Sequence, residues 1–312
     1  MTQPRTEQKI VLVTRKTRLD DLIARFNTED QARFYVEHLG SDFADYQQED
    51  RNYKAALSQC ERLLARIGRI QVLDRVYLPN FVFGPNDWVV ALGQDGLVAN
   101  TLKYLDGQPL VGVNPDPARW EGILVPFSVG QLSAVVEGLI VGKRPLKQVT
   151  MAMAAFNTRH VLLGVNDIFV GARTHISARY TIKAAEHEEQ HSSSGVIIST
   201  GLGSSGWLRS VLAGASGIAA ALGQASAPRP PSEFPWDAEY LVYSIREPWP
   251  SKRTGAAITF GKVTREAPLV LVSQMPENGV VFSDGIEADF IEFNAGTSAT
   301  VGISPKKGLL VS

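Results

Sequence analysis

The spacing of apolar residues changes character along the chain. KIVLVTR (9–15) is an apolar run of strand length. LDDLIARFNTEDQARFYVEHLG (19–40) and NYKAALSQCERLLARIG (52–68) then carry apolar residues at helical spacing, and each closes on glycine. DRVYLPNFVF (74–83) leads into the turn GPND, the strand WVVALG (88–93) and a second turn around Asp95. A helical LVANTLKYL (97–105), the strand GQPLVGVN (107–114) and the turn PDPARW follow. Strands separated by helical stretches predict a parallel sheet with helices on its faces, a Rossmann-like α/β domain. Ligands of such sheets gather beyond the carboxyl ends of strands, where Asp95 and Asn114 fall.

From about residue 146 short strand-like runs dominate: HVLLGVNDIFVG, ISARYTIKAA, SGVIIST, AAITFG, LVLVSQ, GVVFSDG, ADFIEFNAG and SATVGIS, punctuated by Gly, Asn and Asp turns. A mostly antiparallel, β-rich second domain is expected. SSGWLRSVLAGASGIAAALGQ (204–224) interrupts it as a helical insertion near 205–225, followed by the Pro-rich loop APRPPSEFP (227–235). The boundary is placed in PFSVGQ, giving domains 1–128 and 129–312, with a carboxyl-terminal tail free to return to the first.

Composition narrows the function. The 312 residues are 44% hydrophobic and 20% charged, enough to bury a sizeable core. With 31 basic and 32 acidic residues the net charge is -1, so no basic field exists to hold nucleic acid or an anionic membrane. Cys60 is the only cysteine, which excludes an intrachain disulfide and a cysteine-based zinc site. Cys60 shares a helical face with Leu57, Leu63 and Leu64 and reads as core. No run approaches the ~18 apolar residues of a membrane span, and the amino terminus lacks the layout of a signal peptide. A cytoplasmic chain is expected.

Four segments hold candidate chemistry. In VVALGQDGLVAN, Asp95 either caps the following helix or faces a hydroxyl while glycines admit a phosphate to the backbone. In GVNDIFVG, Asn166 and Asp167 either form an Asx turn or grip vicinal ribose hydroxyls. SSSGVIISTGLGSSGW (192–207) brings three glycines and three hydroxyls to a strand-to-helix junction, a group of amides and small donors suited to phosphate or ribose. It is no Walker loop, because no Gly-Lys-Ser/Thr follows. In LVYSIREPWPSKR, Arg246, Glu247, Lys252 and Arg253 are either functional or a solvated ion-paired loop. His38, His160, His175, His187 and His191 lack metal-ligand spacing, and EHEEQHSSS, which holds the last two, reads as a polar loop.

Taken in order, GQDG (93–96), GVN (112–114), ND (166–167) and STGLGSSGW (199–207) resemble the motifs of the NAD kinase family. GVNPDPARWEGIL, SSG before its strand, Trp207, SIREP (244–248) and EFNAG are similar to the mitochondrial type. The resemblance runs collinearly from Lys9 almost to the carboxyl terminus. It implies an NAD kinase-like fold and transfer of a phosphoryl group from ATP, with Mg²⁺, to the 2′-hydroxyl of the adenosine ribose of NAD, giving NADP. It also implies a homodimer or higher homo-oligomer. Carried over by motif, Asp95 is the base, and Gly93, Gly96 and Asn114 belong to the nucleotide site. So do Asn166, Asp167, Thr200, Gly203, Ser204, Ser205, Gly206, Trp207 and Arg209, with His175 a candidate imidazole contact and no residue assigned as a protein ligand to a metal. Gln94 stands where the family has a second glycine and Leu97 where it has a threonine; both are expected where phosphates approach. Two alternatives stay open: a related kinase acting on a sugar, nucleoside or lipid hydroxyl, and a nucleotide-binding regulatory protein without turnover.

Overall fold

A computed structural model describes residues 6–223 and 233–312. The chain divides into two compact units, residues 1–147 with 309–312, and residues 148–308. The division lies after the expected boundary of 128/129, because residues 129–147 include a helix that packs into the first unit's core. The last four residues do return to the first unit.

The first unit contains β1 (Lys9–Thr14), α1 (Arg18–Phe26), α2 (Glu29–His38), α3 (Phe43–Leu64), β2 (Arg69–Asp74), β3 (Trp88–Leu92), α4 (Asp95–Leu102), β4 (Pro109–Asn114), β5 (Phe127–Ser128) and α5 (Leu132–Ile140). Its strands run parallel in the order β2–β1–β3–β4. β5, and Leu309 and Leu310 of the last strand, also pair with β4 in parallel. Ile10, Leu12, Val90, Leu92, Val111 and Val113 face Cys60 and Leu64 of α3 and Leu132, Val135, Val136 and Leu139 of α5. Val11, Val13, Val89 and Ala91 are also fully buried, as expected of a parallel sheet covered on both faces. Burial pushes the Cys60 thiol up to about 12, a core residue as its spacing predicts.

One local expectation is corrected and one strand is added. Residues 19–40 form two helices, because Asn27 adopts a left-handed conformation (φ 68°) and Thr28 caps α2 by accepting from the Gln31 amide. β2 carried no strong sequence signal, being an edge strand with little burial.

The second unit contains β6 (Leu146–Phe156, beginning two residues before the division), β7 (Val161–Gly164), β8 (Asp167–Ala172), β9 (Ala178–Ala184), β10 (His187–Ser193), β11 (Val196–Ser199), α6 (Trp207–Ala221) and β12 (Leu241–Ile245). It continues with β13 (Phe260–Val263), β14 (Leu269–Ser273), β15 (Gly279–Ser283), β16 (Ile286–Glu292) and β17 (Ser298–Val311). One antiparallel set runs β10–β9–β14–β17, with β6 pairing β17 and β7. The other is β13–β12–β11–β8–β15–β16. The segment 187–193, read as a loop, is the edge strand β10. It pairs residue for residue with β9, and its inward positions are the polar His191 and Ser193, so no apolar alternation announces it. His191 Nε2 lies 2.7 Å from Glu189, and Ser193 Oγ lies 2.7 Å from the Tyr180 hydroxyl.

Alternation on β8 and β11 separates the two faces of their sheet. Ile168, Val170, Val196 and Ile198 enter the main core, while Phe169 and Ile197 pack with Trp207 and Val211 of α6. Asp167 has the parity of Phe169 and therefore lies on the α6 side. The Pro-rich loop read at 227–235 falls largely outside the described residues, and no described helix is long and apolar enough to cross a membrane.

Candidate functional site

In the first unit the strand order reverses between β1 and β3: the chain passes from β1 to β2 on one side and then to β3 on the other. Such a switch opens a crevice at the carboxyl ends of the strands. Tyr53 of α3 ties those ends together, its hydroxyl accepting from the Arg15 amide at 2.9 Å and donating to the Leu92 carbonyl at 3.2 Å. Arg15 stacks over the Tyr53 ring and pairs with the buried Glu49 at 2.7 Å. Arg18 and Arg119 both bind Asp45 and hold its carboxyl below the usual range. Neither Tyr53 nor this ion network carries a motif, so sequence reading missed them.

Asp95 is the first residue of α4, and Gln94 is the cap position, without a side-chain cap bond. Asp95 does not cap α4, because its carboxylate accepts from amides outside the helix. Oδ2 accepts from the Ile123 amide at 3.1 Å and Oδ1 from the Leu124 amide at 2.9 Å. This fixes the carboxylate at the rim, beside the exposed Gly96, where a Cβ would meet open space. Leu97 does not face that rim as expected. It is buried and packs beneath the turn, its Cδ2 2.8 Å from where a Cβ at Gly93 would stand. Asn114 ends β4, but its carboxamide serves the following loop, donating to the Trp120 carbonyl at 2.8 Å and accepting from the Asp116 amide at 2.9 Å.

In the second unit the Asn166–Asp167 pair and the turn 200–206 form one construction. The Thr200 amide donates to the Asn166 carbonyl at 2.9 Å, and its hydroxyl donates to the Val165 carbonyl while accepting from the Gly203 amide at 3.1 Å. A Cβ on Gly203 would overlap the Asn166 carbonyl oxygen, so only glycine permits this approach. Ser204 Oγ donates to the Gly201 carbonyl at 2.6 Å and accepts from the Phe234 amide at 3.3 Å. Ser205, Gly206 and Arg209 are exposed, with Arg209 paired to Glu233 at 3.5 Å. Trp207 stacks on Phe169 with ring centroids 5.5 Å apart, and the Arg246 guanidinium lies 5.4 Å from its ring centre. Arg246 thus belongs to this site, whereas Lys252 and Arg253 lie on the exposed loop beyond it.

Asp167 is buried, and burial together with the charge of Asp284 pushes its carboxyl up to about 7. Asp284, in a left-handed conformation (φ 55°), accepts from the amides of Val165 (2.9 Å), Asn166 (2.6 Å) and Asp167 (3.4 Å). His175 lies on the exposed β8–β9 loop, at the opposite end of β8 from Asp167; six strand residues put these ends roughly 17 Å apart.

No family model matches the sequence. No curated protein matches it either. Among solved structures the chain is similar to the crystal structure of an NAD kinase from Archaeoglobus fulgidus in complex with ATP. The two share 16% identity, with a TM-score of 0.55, over 98% of this chain and 94% of that one. The fold is that of an NAD kinase.

Proposed function

We propose that the chain is an NAD kinase of the mitochondrial type, moving the γ-phosphoryl group of ATP to the 2′-hydroxyl of the adenosine ribose of NAD. The observation that carries this reading is the second unit's construction. Segments 166–167 and 200–207, far apart in sequence, are locked together by Thr200 and Gly203, which sets the Asn166–Asp167 pair beside the turn leading to Trp207. The exposed Ser205–Gly206 turn at the start of α6 suits phosphate, and an amide beside a carboxyl suits ribose hydroxyls.

Asp95 accepts the proton of the attacking hydroxyl. A carboxylate offers about four acceptor positions, and one amide on each oxygen leaves both able to take another donor. The amides of Ile123 and Leu124 orient the base before substrate arrives, which matters because phosphoryl transfer depends mainly on positioning and charge neutralisation. Among the described residues no group of three or more His, Cys, Asp or Glu side chains is placed to hold a metal ion. Mg²⁺ would arrive on the phosphates of ATP, as is usual for an ion bound chiefly through substrate phosphates. Bound there, the ion supplies neutralisation of the phosphate oxygens.

A cytoplasmic homodimer or larger homo-oligomer completes the reading; sedimentation of the purified chain tests the assembly. The activity is tested with purified protein, ATP, Mg²⁺ and NAD, scoring NADP through a coupled dehydrogenase. NADP is expected; NAD bound without NADP formed rejects the reading.

A further inference from the structure

Asp284 makes no contact that the motif reading assigns, yet it holds the segment on which that reading depends. Its carboxylate takes the amides of three successive residues, Val165, Asn166 and Asp167, and its own amide donates to the Asp167 carbonyl at 3.0 Å. The turn achieves this by placing a non-glycine residue at φ 55°, a conformation that aspartate tolerates better than most side chains. A side chain answering three consecutive amides sets the direction of the peptide planes, and those planes set where the Asn166 and Asp167 side chains leave the backbone.

We propose that Asp284 is the positioning residue of the Asn166–Asp167 pair, acting through the backbone of residues 165–167 and through its charge. The proposal rests on the reading of that pair as a dinucleotide contact, but only in its functional consequence. The two arms separate chemically. Three amides favour the ionised form of Asp284, so in this carboxyl pair the proton goes to Asp167, the member to which no donor among the described residues is bonded. The other elements packed about Asp167 leave Asp284 as the charge that acts on it. β7, β11, β15 and the turn 200–206 carry no titratable side chain, Arg179 and Lys183 lie on β9, and on the α6 side Arg209 is exposed and paired with Glu233 while the Arg246 guanidinium lies over Trp207.

Two substitutions divide the roles. Asp284→Asn keeps an acceptor for the amides and tolerates the left-handed conformation but removes the charge. Asp284→Gly relieves the backbone and removes both. Carboxyl carbon NMR on the full, ligand-free chain is expected to show Asp167 titrating near neutrality in the wild type and at least one pH unit lower in Asp284→Asn. Amide exchange at Val165 and Asn166 is expected to accelerate more than tenfold in Asp284→Gly and little in Asp284→Asn. Calorimetry with NAD alone is expected to show at least tenfold weaker binding by Asp284→Gly. An unmoved Asp167 midpoint in a folded Asp284→Asn overturns the charge role, and unchanged exchange in Asp284→Gly overturns the backbone role. Should the wild type bind no NAD, the dinucleotide reading fails, while the titration and exchange still decide what Asp284 does.

Discussion

Replacing Asp167 with asparagine makes the protein more stable above neutral pH. Asp167 is 7% exposed, and its carboxyl is pushed up to about 7 from 3.8 for an unperturbed aspartate, through burial first and the Asp284 charge second. The folded state therefore holds the Asp167 proton more tightly than the unfolded state does. Its contribution is most favourable below about pH 4, declines as pH rises from 3.8 toward 7, and is flat above. The full difference, about 3 pH units at ~1.36 kcal/mol each, comes to roughly 4 kcal/mol. Between pH 5 and pH 8 the wild type loses about 2.5 kcal/mol of it. The asparagine side chain would fill nearly the same volume without a titrating group, and with no donor to the carboxyl among the described residues, little hydrogen bonding is lost. Denaturant unfolding of both proteins at pH 5 and pH 8 measures the gap. It should widen by about 2.5 kcal/mol in favour of Asp167→Asn at the higher pH. A gap constant to within about 0.5 kcal/mol refutes the assignment of Asp167 as the buried proton-holding member of the pair.

Other consequences are sharper locally. Gly203→Ala drives a methyl group into the Asn166 carbonyl oxygen and should cost about 1–3 kcal/mol by overpacking, with NAD affinity falling alongside; a neutral result in thermal unfolding and calorimetry contradicts the close approach. Leu97→Ala should cost roughly 2–5 kcal/mol because Leu97 is core beneath the turn, whereas an outward-facing side chain would cost almost nothing. Tyr53→Phe leaves the Arg15 amide and the Leu92 carbonyl without their shared partner and should cost about 1–3 kcal/mol in denaturant unfolding.

The fold was legible where burial imposes a period. β1, β3 and β4 are buried on both faces and appear as unbroken apolar runs, and β8 and β11 place apolar residues on each side of their sheet. Edge strands β2 and β10 escaped because exposure removes the apolar pattern, and the α1–α2 break escaped because it depends on one left-handed asparagine. The motif at 199–207 was legible through its glycines, which mark where backbone approaches backbone. Contacts made by side chains to distant amides were not: nothing near Asp95 in sequence announces Ile123 and Leu124, and nothing near Asn166 announces Asp284. Leu97 shows the converse, a motif position assigned outward by resemblance and turned inward by helix geometry.

The central claim is that Asp95, held by two amides at the rim of the parallel sheet, is the base of an NAD kinase. It is tested most directly by comparing NADP formation by wild type and Asp95→Asn, with NAD binding measured on the same preparations. The account predicts NADP from the wild type, turnover lowered by about 10²–10⁴ in the variant, and NAD affinity changed by less than about threefold, ~0.65 kcal/mol. An Asp95→Asn protein that turns over at the wild-type rate, or a wild type that binds NAD and yields no NADP, contradicts it.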